Sequence, residues 1–140
     1  AKRRGYKLAS YISSKASVWR NCDLGEHCFI FENNVVNPFV KIGNNVILWS
    51  GNHVGHHGEI HDNVFVSSHV VISGMSAIGE NSFLGVNSTL ADSVIVGKDV
   101  VIGAGTVVTK NLDPGKVYIG NPSRSIPKNS LDVFSVKKEK

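Results

Sequence analysis

Four of the chain's six histidines, His53, His56, His57 and His61, fall within nine residues. Imidazole suits two kinds of chemistry at such a site. With an unperturbed pKa of about 6.5 it can accept a proton near neutral pH, as a general base must. Its ring nitrogens also ligate zinc, which asks for three protein ligands and an open position. The plainer reading is that polar turns hold histidines for solvation alone, and most of these four do only that. Of the four, His56 is the best candidate for a base.

What could position such residues is a repeat. Written in sixes from Ile12, residues 12–113 divide into 17 hexads without an insertion. The first position is Ile, Val or Leu in all 17. The fifth is small or β-branched almost throughout, from Ala16, Cys22 and Cys28 to Val94, Val100 and Thr106. Asn, Asp or Gly recurs at the fourth, where a tight corner needs positive φ at least cost. Inward aliphatics, inward small fillers and one corner per hexad close a triangular coil of 18 residues. The fold predicted is all-β: a left-handed parallel β-helix over 12–113, with an N-terminal lead-in at 1–11 and a C-terminal cap and tail at 114–140. Coils stacked about 4.8 Å apart give a prism of about 27 Å. A solenoid buries its core against neighbouring coils, so its ends need caps. For Asn129–Lys140 the pattern suggests a short capping helix or a loose strand.

A coil of 18 residues stacks residue i on i+18, so each corner reads as a column. One fourth-position column, His27, Asn45, Asn63, Asn81 and Asp99, is nearly pure turn chemistry. Another carries Phe39, His57 and Met75 where the repeat wants Asn or Gly. Broken local rules of this kind mark functional or interface positions. Beside it runs Arg20, Pro38, His56, Gly74, Asp92 and Lys110, which makes His56 and Gly74 neighbours one rung apart. A base beside an open glycine N–H suits acyl transfer, the imidazole taking the nucleophile's proton and the N–H bonding a thioester oxygen.

The formal charge of +4 comes largely from Lys2-Arg3-Arg4 and the lysine-rich last four residues, short runs that read as solvated ends and not as a nucleic-acid surface. No apolar run reaches the roughly 18–20 residues of a membrane span. There is no signal-peptide pattern, and two cysteines do not make a disulfide scaffold. A cytoplasmic location is the expectation. Cys22 and Cys28 occupy inward fifth positions and read as core. The start at Ala1, in mid-pattern, suggests a piece of a longer protein.

Three stretches carry a family resemblance: Val54-Gly55-His56-His57 through Ile60-His61-Asp62, then Ile102-Gly103-Ala104-Gly105-Thr106-Val107-Val108, then Gly120-Asn121-Pro122-Ser123-Arg124. With the repeat, they make the chain resemble the hexapeptide-repeat acyltransferases over roughly residues 8–126. More narrowly, it is similar to the sialic acid O-acetyltransferase type, which includes nucleotide-amino-sugar N-acetyltransferases. The resemblance implies a homotrimer that transfers an acetyl group from acetyl-CoA to an amine or hydroxyl of a sugar, with a nucleotide-linked sugar as the expected acceptor. It implies His56 as base, Gly74 as backbone donor to the acetyl carbonyl, and Val86 and Ala104 as rests for the pantetheine arm and adenine end. Column logic places Ser68, Val86 and Ala104 on consecutive rungs. Repeat filler explains the last two nearly as well.

The sequence departs from that family at three points. His57 follows the base where better-known members have an acidic residue; Phe65 stands where they have a histidine; Trp49 stands where they have an asparagine. Glu59, Asp62 and Glu32 are the carboxylates that could orient His56. Relatives often carry an N-terminal α/β domain that binds the nucleotide sugar, joined through a segment like Gly5–Tyr11. Two other readings stand beside this one. His56 and His61 have the spacing of zinc ligands in γ-class carbonic anhydrases, but Arg20 occupies the place of the third ligand, so no metal is expected. A non-catalytic trimeric module is the other. With no loop inserted between Ile12 and Asp113, the pocket must be completed by a neighbouring subunit or a further domain.

Overall fold

The computed structural model describes residues 1–134. From Tyr11 to Val108 the chain winds as a left-handed parallel β-helix whose strands are each two residues long, the sixth position of one hexad and the first of the next. Three parallel sheets form its faces. Sheet A starts at Tyr11–Ile12, sheet B at Ser17–Val18 and sheet C at Asp23–Leu24. Register is i to i+18 throughout, as in Phe29 on Ile47, His53 on Val71 and Glu59 on Ala77.

The hexad logic accounts for the burial. First-position Ile30, Leu48, Ile72, Leu84 and Ile102 are completely buried, and sixth-position neighbours point outward. Burying each such side chain contributes about 1.5–3 kcal/mol, so a column of them holds the coils in stack. Every fourth position from His27 to Gly105 has a left-handed backbone, with φ between 55° and 76°. The turn geometry demands it even of Phe39, His57 and Met75, residues for which it is unfavourable.

Two fifth positions depart from the pattern. Asn34 and Asn52 point inward and are buried. The Asn34 side chain accepts from the Asn52 N–H at 3.1 Å and donates to the carbonyls of Phe31 and Trp49 at 2.8 and 2.7 Å. Asn52 in turn accepts from the Val70 N–H at 2.7 Å. Cys22 and Cys28 are free thiols, as expected of core fillers. Burial pushes the Cys28 thiol upward in pKa, and it donates to the Gly43 carbonyl at 3.1 Å.

Beyond Asp113, strand Lys116–Ile119 adds a further parallel rung to sheet A, pairing Val117 with Val101. The chain reverses through a cis Asn121–Pro122 peptide, and strand Arg124–Asn129 returns antiparallel. Asn129 caps a short helix, Ser130–Val133, by accepting from the Leu131 N–H at 3.0 Å. That helix brings Phe134 edge-on to Phe83 of sheet A. The rest of the predicted tail, 135–140, lies outside the described residues. At the other end Lys2–Arg4 form one 3-10 turn, and the first coil leaves Ile12 and Trp19 exposed. No described helix is long and apolar enough to cross a membrane.

Candidate active site

The corner between sheets B and C holds His56. Its column stacks through backbone hydrogen bonds: Met75 N–H donates to the His56 carbonyl and Ser93 N–H to the Gly74 carbonyl, each at 2.9 Å. His56 and Gly74 are therefore on adjacent rungs, as the 18-residue period requires. Contact is direct: a Cβ built on Gly74 would stand 2.9 Å from His56 Nε2 and 3.0 Å from Cε1. The ring occupies space that only glycine leaves open. Gly55 one rung away is equally constrained, since its Cβ would overlap the Gly74 amide nitrogen.

The repeat explains why an N–H is available here. Ladder bonds are made by N–H groups at positions two, four and six of each hexad, and the corner leaves position three out. Among the described residues no third-position N–H finds a backbone acceptor. At the corner between sheets C and A, side chains fill the gap: Asn44 N–H donates to Asp62 Oδ1 at 2.7 Å and Glu26 N–H to Asn44 Oδ1 at 2.9 Å. Gly74 N–H receives no such partner among the described residues. A buried donor left unbonded is costly unless a ligand supplies the acceptor.

An open groove runs past this pair, lined by Pro38, His53, Val71, Ser73 and Asp92 along with His56. His53 and Asn37 lie 3.1 Å apart through Nε2 and Nδ2; Asn37 Nδ2 also donates to the Val54 carbonyl. His56 Nδ1 faces His57 Nδ1 at 3.1 Å, the rings nearly perpendicular at 87°. His57 itself stacks on Phe39 of the rung below, ring centres 4.8 Å apart.

None of the three candidate carboxylates orients His56. Glu32 accepts from Ser50 Oγ at 2.7 Å, which holds its carboxyl below the usual range. Lys41 does the same to Glu59 at 2.9 Å. The Asn44 N–H, aided by the Asn44 amide, holds Asp62 low. The reason is the column geometry: Glu32 and Asp62 project from other corners, and Glu59 from the outer face of sheet C. The partner His56 has instead is His57, its chain neighbour, a pairing that no column could display.

Val86 and Ala104 are stacked, Gly105 N–H donating to the Val86 carbonyl at 2.8 Å. Ser68 stands below them, its carbonyl accepting from Asn87 N–H. This column lies at the corner between sheets A and B, the far edge of sheet B from His56. Within one subunit the two pairs are thus a face apart. Trp49 and Phe65 also lie on that side, in an aromatic row where Phe31, Trp49, Phe65 and Phe83 follow one another. They do not touch His56. His61 sits at the corner between sheets C and A, in a groove with Lys41 and Asp62. Among the described residues no three His, Cys, Asp or Glu side chains converge as metal ligands.

Two stretches match known families. Residues 21–56 match the bacterial transferase hexapeptide (six repeats), and residues 77–110 match the hexapeptide repeat of succinyl-transferase. The chain is a hexapeptide-repeat protein. Among curated proteins none matches it by sequence. Solved structures do match this hexapeptide-repeat protein. A mutant of perosamine N-acetyltransferase from Caulobacter crescentus, in complex with CoA and GDP-perosamine, superimposes with a TM-score of 0.89 at 26% identity, over 91% of this chain and 60% of that one. The acetyltransferase domain of PglB from Neisseria gonorrhoeae, in complex with acetyl coenzyme A, does so with 0.88 at 26% identity, over 89% and 61%. The protein thus spans about three-fifths of these relatives' length. AntD, an N-acyltransferase from Bacillus cereus, shares the fold at 19% identity and a TM-score of 0.82.

Proposed function

We propose that this chain is the acetyl-transferring part of an acetyl-CoA-dependent sugar N-acetyltransferase whose acceptor is the amine of a nucleotide-linked amino sugar. The observation that carries the reading is the contact between the His56 ring and Gly74, whose N–H has no acceptor among the described residues. The likeness to enzymes bound to CoA and GDP-perosamine supports the choice of donor and of an amine over a hydroxyl.

The chemistry follows from the two groups. The acceptor amine attacks the thioester carbon, forming a C–N bond while His56 Nε2 takes a proton from the nitrogen. Negative charge on the carbonyl oxygen is met by the N–H of Gly74, whose own carbonyl is held in the ladder by Ser93 N–H. The C–S bond then breaks, and the proton held on His56 passes to the departing CoA thiolate. No covalent acyl-enzyme is required, so neither cysteine takes part.

In this reading the working unit is a homotrimer. Val86 and Ala104 stand a face away from His56 in their own subunit, so they serve the site of a neighbour, where they are rests for the pantetheine arm and adenine end. The reaction belongs in the cytoplasm, where acetyl-CoA is made and used. Release of CoA across a panel of nucleotide amino sugars tests the proposal. Activity on at least one is expected, with His56→Ala lowering it by about 10²–10⁴-fold while the assembly stays intact on size-exclusion chromatography. Undiminished turnover by that variant would overturn it.

A further inference from the structure

We infer that His57 is a positioning residue which fixes the tautomer of His56, holding its Nε2 free of a proton and so ready to accept one. The inference rests on the reading of His56 as the base and goes beyond it. Two neutral imidazoles that meet through Nδ1 and Nδ1 at 3.1 Å can hold only one proton between those atoms. If His56 carries it, its Nε2 presents a lone pair to the groove. If His57 carries it, His56 Nε2 must be an N–H and cannot act as a base.

Two features favour the first arrangement. His56 Nε2 lies against Gly74, whose carbonyl is already the acceptor for Ser93 N–H. An Nε2–H there has no protein acceptor among the described residues, whereas a lone pair can face an incoming amine. His57 is also held in place to receive the bond. Its backbone is fixed at φ 57°, its N–H donates to the Pro38 carbonyl at 3.1 Å, and its ring is stacked on Phe39. When His56 gains its second proton during attack, the Nδ1–H···Nδ1 bond becomes charge-assisted and strengthens. A neutral ring thus does the orienting that the third member of a catalytic triad does with a carboxylate.

The fourth positions supply well-matched test variants, since Phe39 below His57 and Asn45 at another corner show that Phe and Asn both adopt this left-handed backbone. His57→Phe keeps an aromatic ring on Phe39 but has no acceptor; His57→Asn restores one. Imidazole 1H–15N correlation spectra of the full chain, recorded where both rings are neutral, read the tautomer without any substrate. His56 should be the Nδ1–H form in the wild type and in His57→Asn, and mainly the Nε2–H form in His57→Phe. In CoA release, His57→Phe should lower kcat at least tenfold, roughly, at unchanged KM for acetyl-CoA, and His57→Asn should recover most of it. An Nε2–H His56 in the wild type, or the same tautomer in all three proteins, would overturn the inference. Failure of the base reading would show separately, as undiminished turnover by His56→Ala.

Discussion

The His56 ring fills the space in which a side chain at residue 74 would begin: Nε2, Cε1 and Cδ2 lie 2.9, 3.0 and 3.3 Å from the Cβ position of Gly74. Gly74 is not at positive φ, so alanine meets no backbone penalty there and collides only with the ring. His56 is exposed and can swing aside. Gly74→Ala should therefore fold normally, with a melting temperature close to wild type, yet lose most CoA release because base and N–H no longer share a site. A large drop in melting temperature would show that the glycine serves packing instead.

Asn63 sits in the middle of a side-chain ladder. His27 faces Asn45 at 3.0 Å, and from there each amide donates to the next: Asn45 to Asn63, Asn63 to Asn81, Asn81 to Asp99, at 2.9, 3.0 and 2.9 Å. Asn63 also adopts φ 61°. Asn63→Ala loses both bonds and brings a left-handed penalty of about 1–2 kcal/mol. Asn63→Gly loses only the bonds. Chemical denaturation should rank wild type above Gly above Ala, and equal stability of the two variants would refute the backbone part of the argument.

Buried Asn34 contradicts the aliphatic pattern, and its worth can be measured. Valine is the commonest residue at buried fifth positions, so by hydrophobic pattern alone Asn34→Val improves the core. It would leave the carbonyls of Phe31, Leu48 and Trp49 without their shared donor and the Asn52 N–H without its acceptor. The variant should be less stable by about 1–3 kcal/mol, read from the denaturation midpoint. A stabilised variant would show that the ladder is only tolerated.

These residues mark where the sequence is legible. The aliphatic first positions and the 18-residue period predict the three sheets, the register and the His56–Gly74 contact, because a stack of uninterrupted hexads leaves no freedom in which residues share a rung. The same logic is silent on two things. It cannot say which way a corner side chain turns, so the His56–His57 bond and the partners of Glu32, Glu59 and Asp62 emerge only from the structure. It also ends with the repeat: the strands Lys116–Ile119 and Arg124–Asn129 have no period to read. Asn34 and Asn52 carried a signal, two polar residues in an inward column, but hexad counting that looks for aliphatics passes over them.

Asp62 links that corner chemistry to pH. Its Oδ1 accepts the third-position N–H of Asn44, and a Cβ on Gly43 would overlap that oxygen, so glycine is required for the bond. The backbone bond, then the Asn44 side chain, lower the carboxyl's pKa from its ordinary 3.8. A carboxylate lowered on folding stabilises the native state fully above its unfolded pKa, and that contribution fades as pH falls through the depressed native value. Asp62→Asn should therefore be less stable than wild type at pH 7, and the difference should persist down to about pH 4 and shrink below it. Thermal denaturation of both proteins across that range gives the check. A gap that stays constant to the lowest pH would mean that Asp62 acts by shape and not by charge.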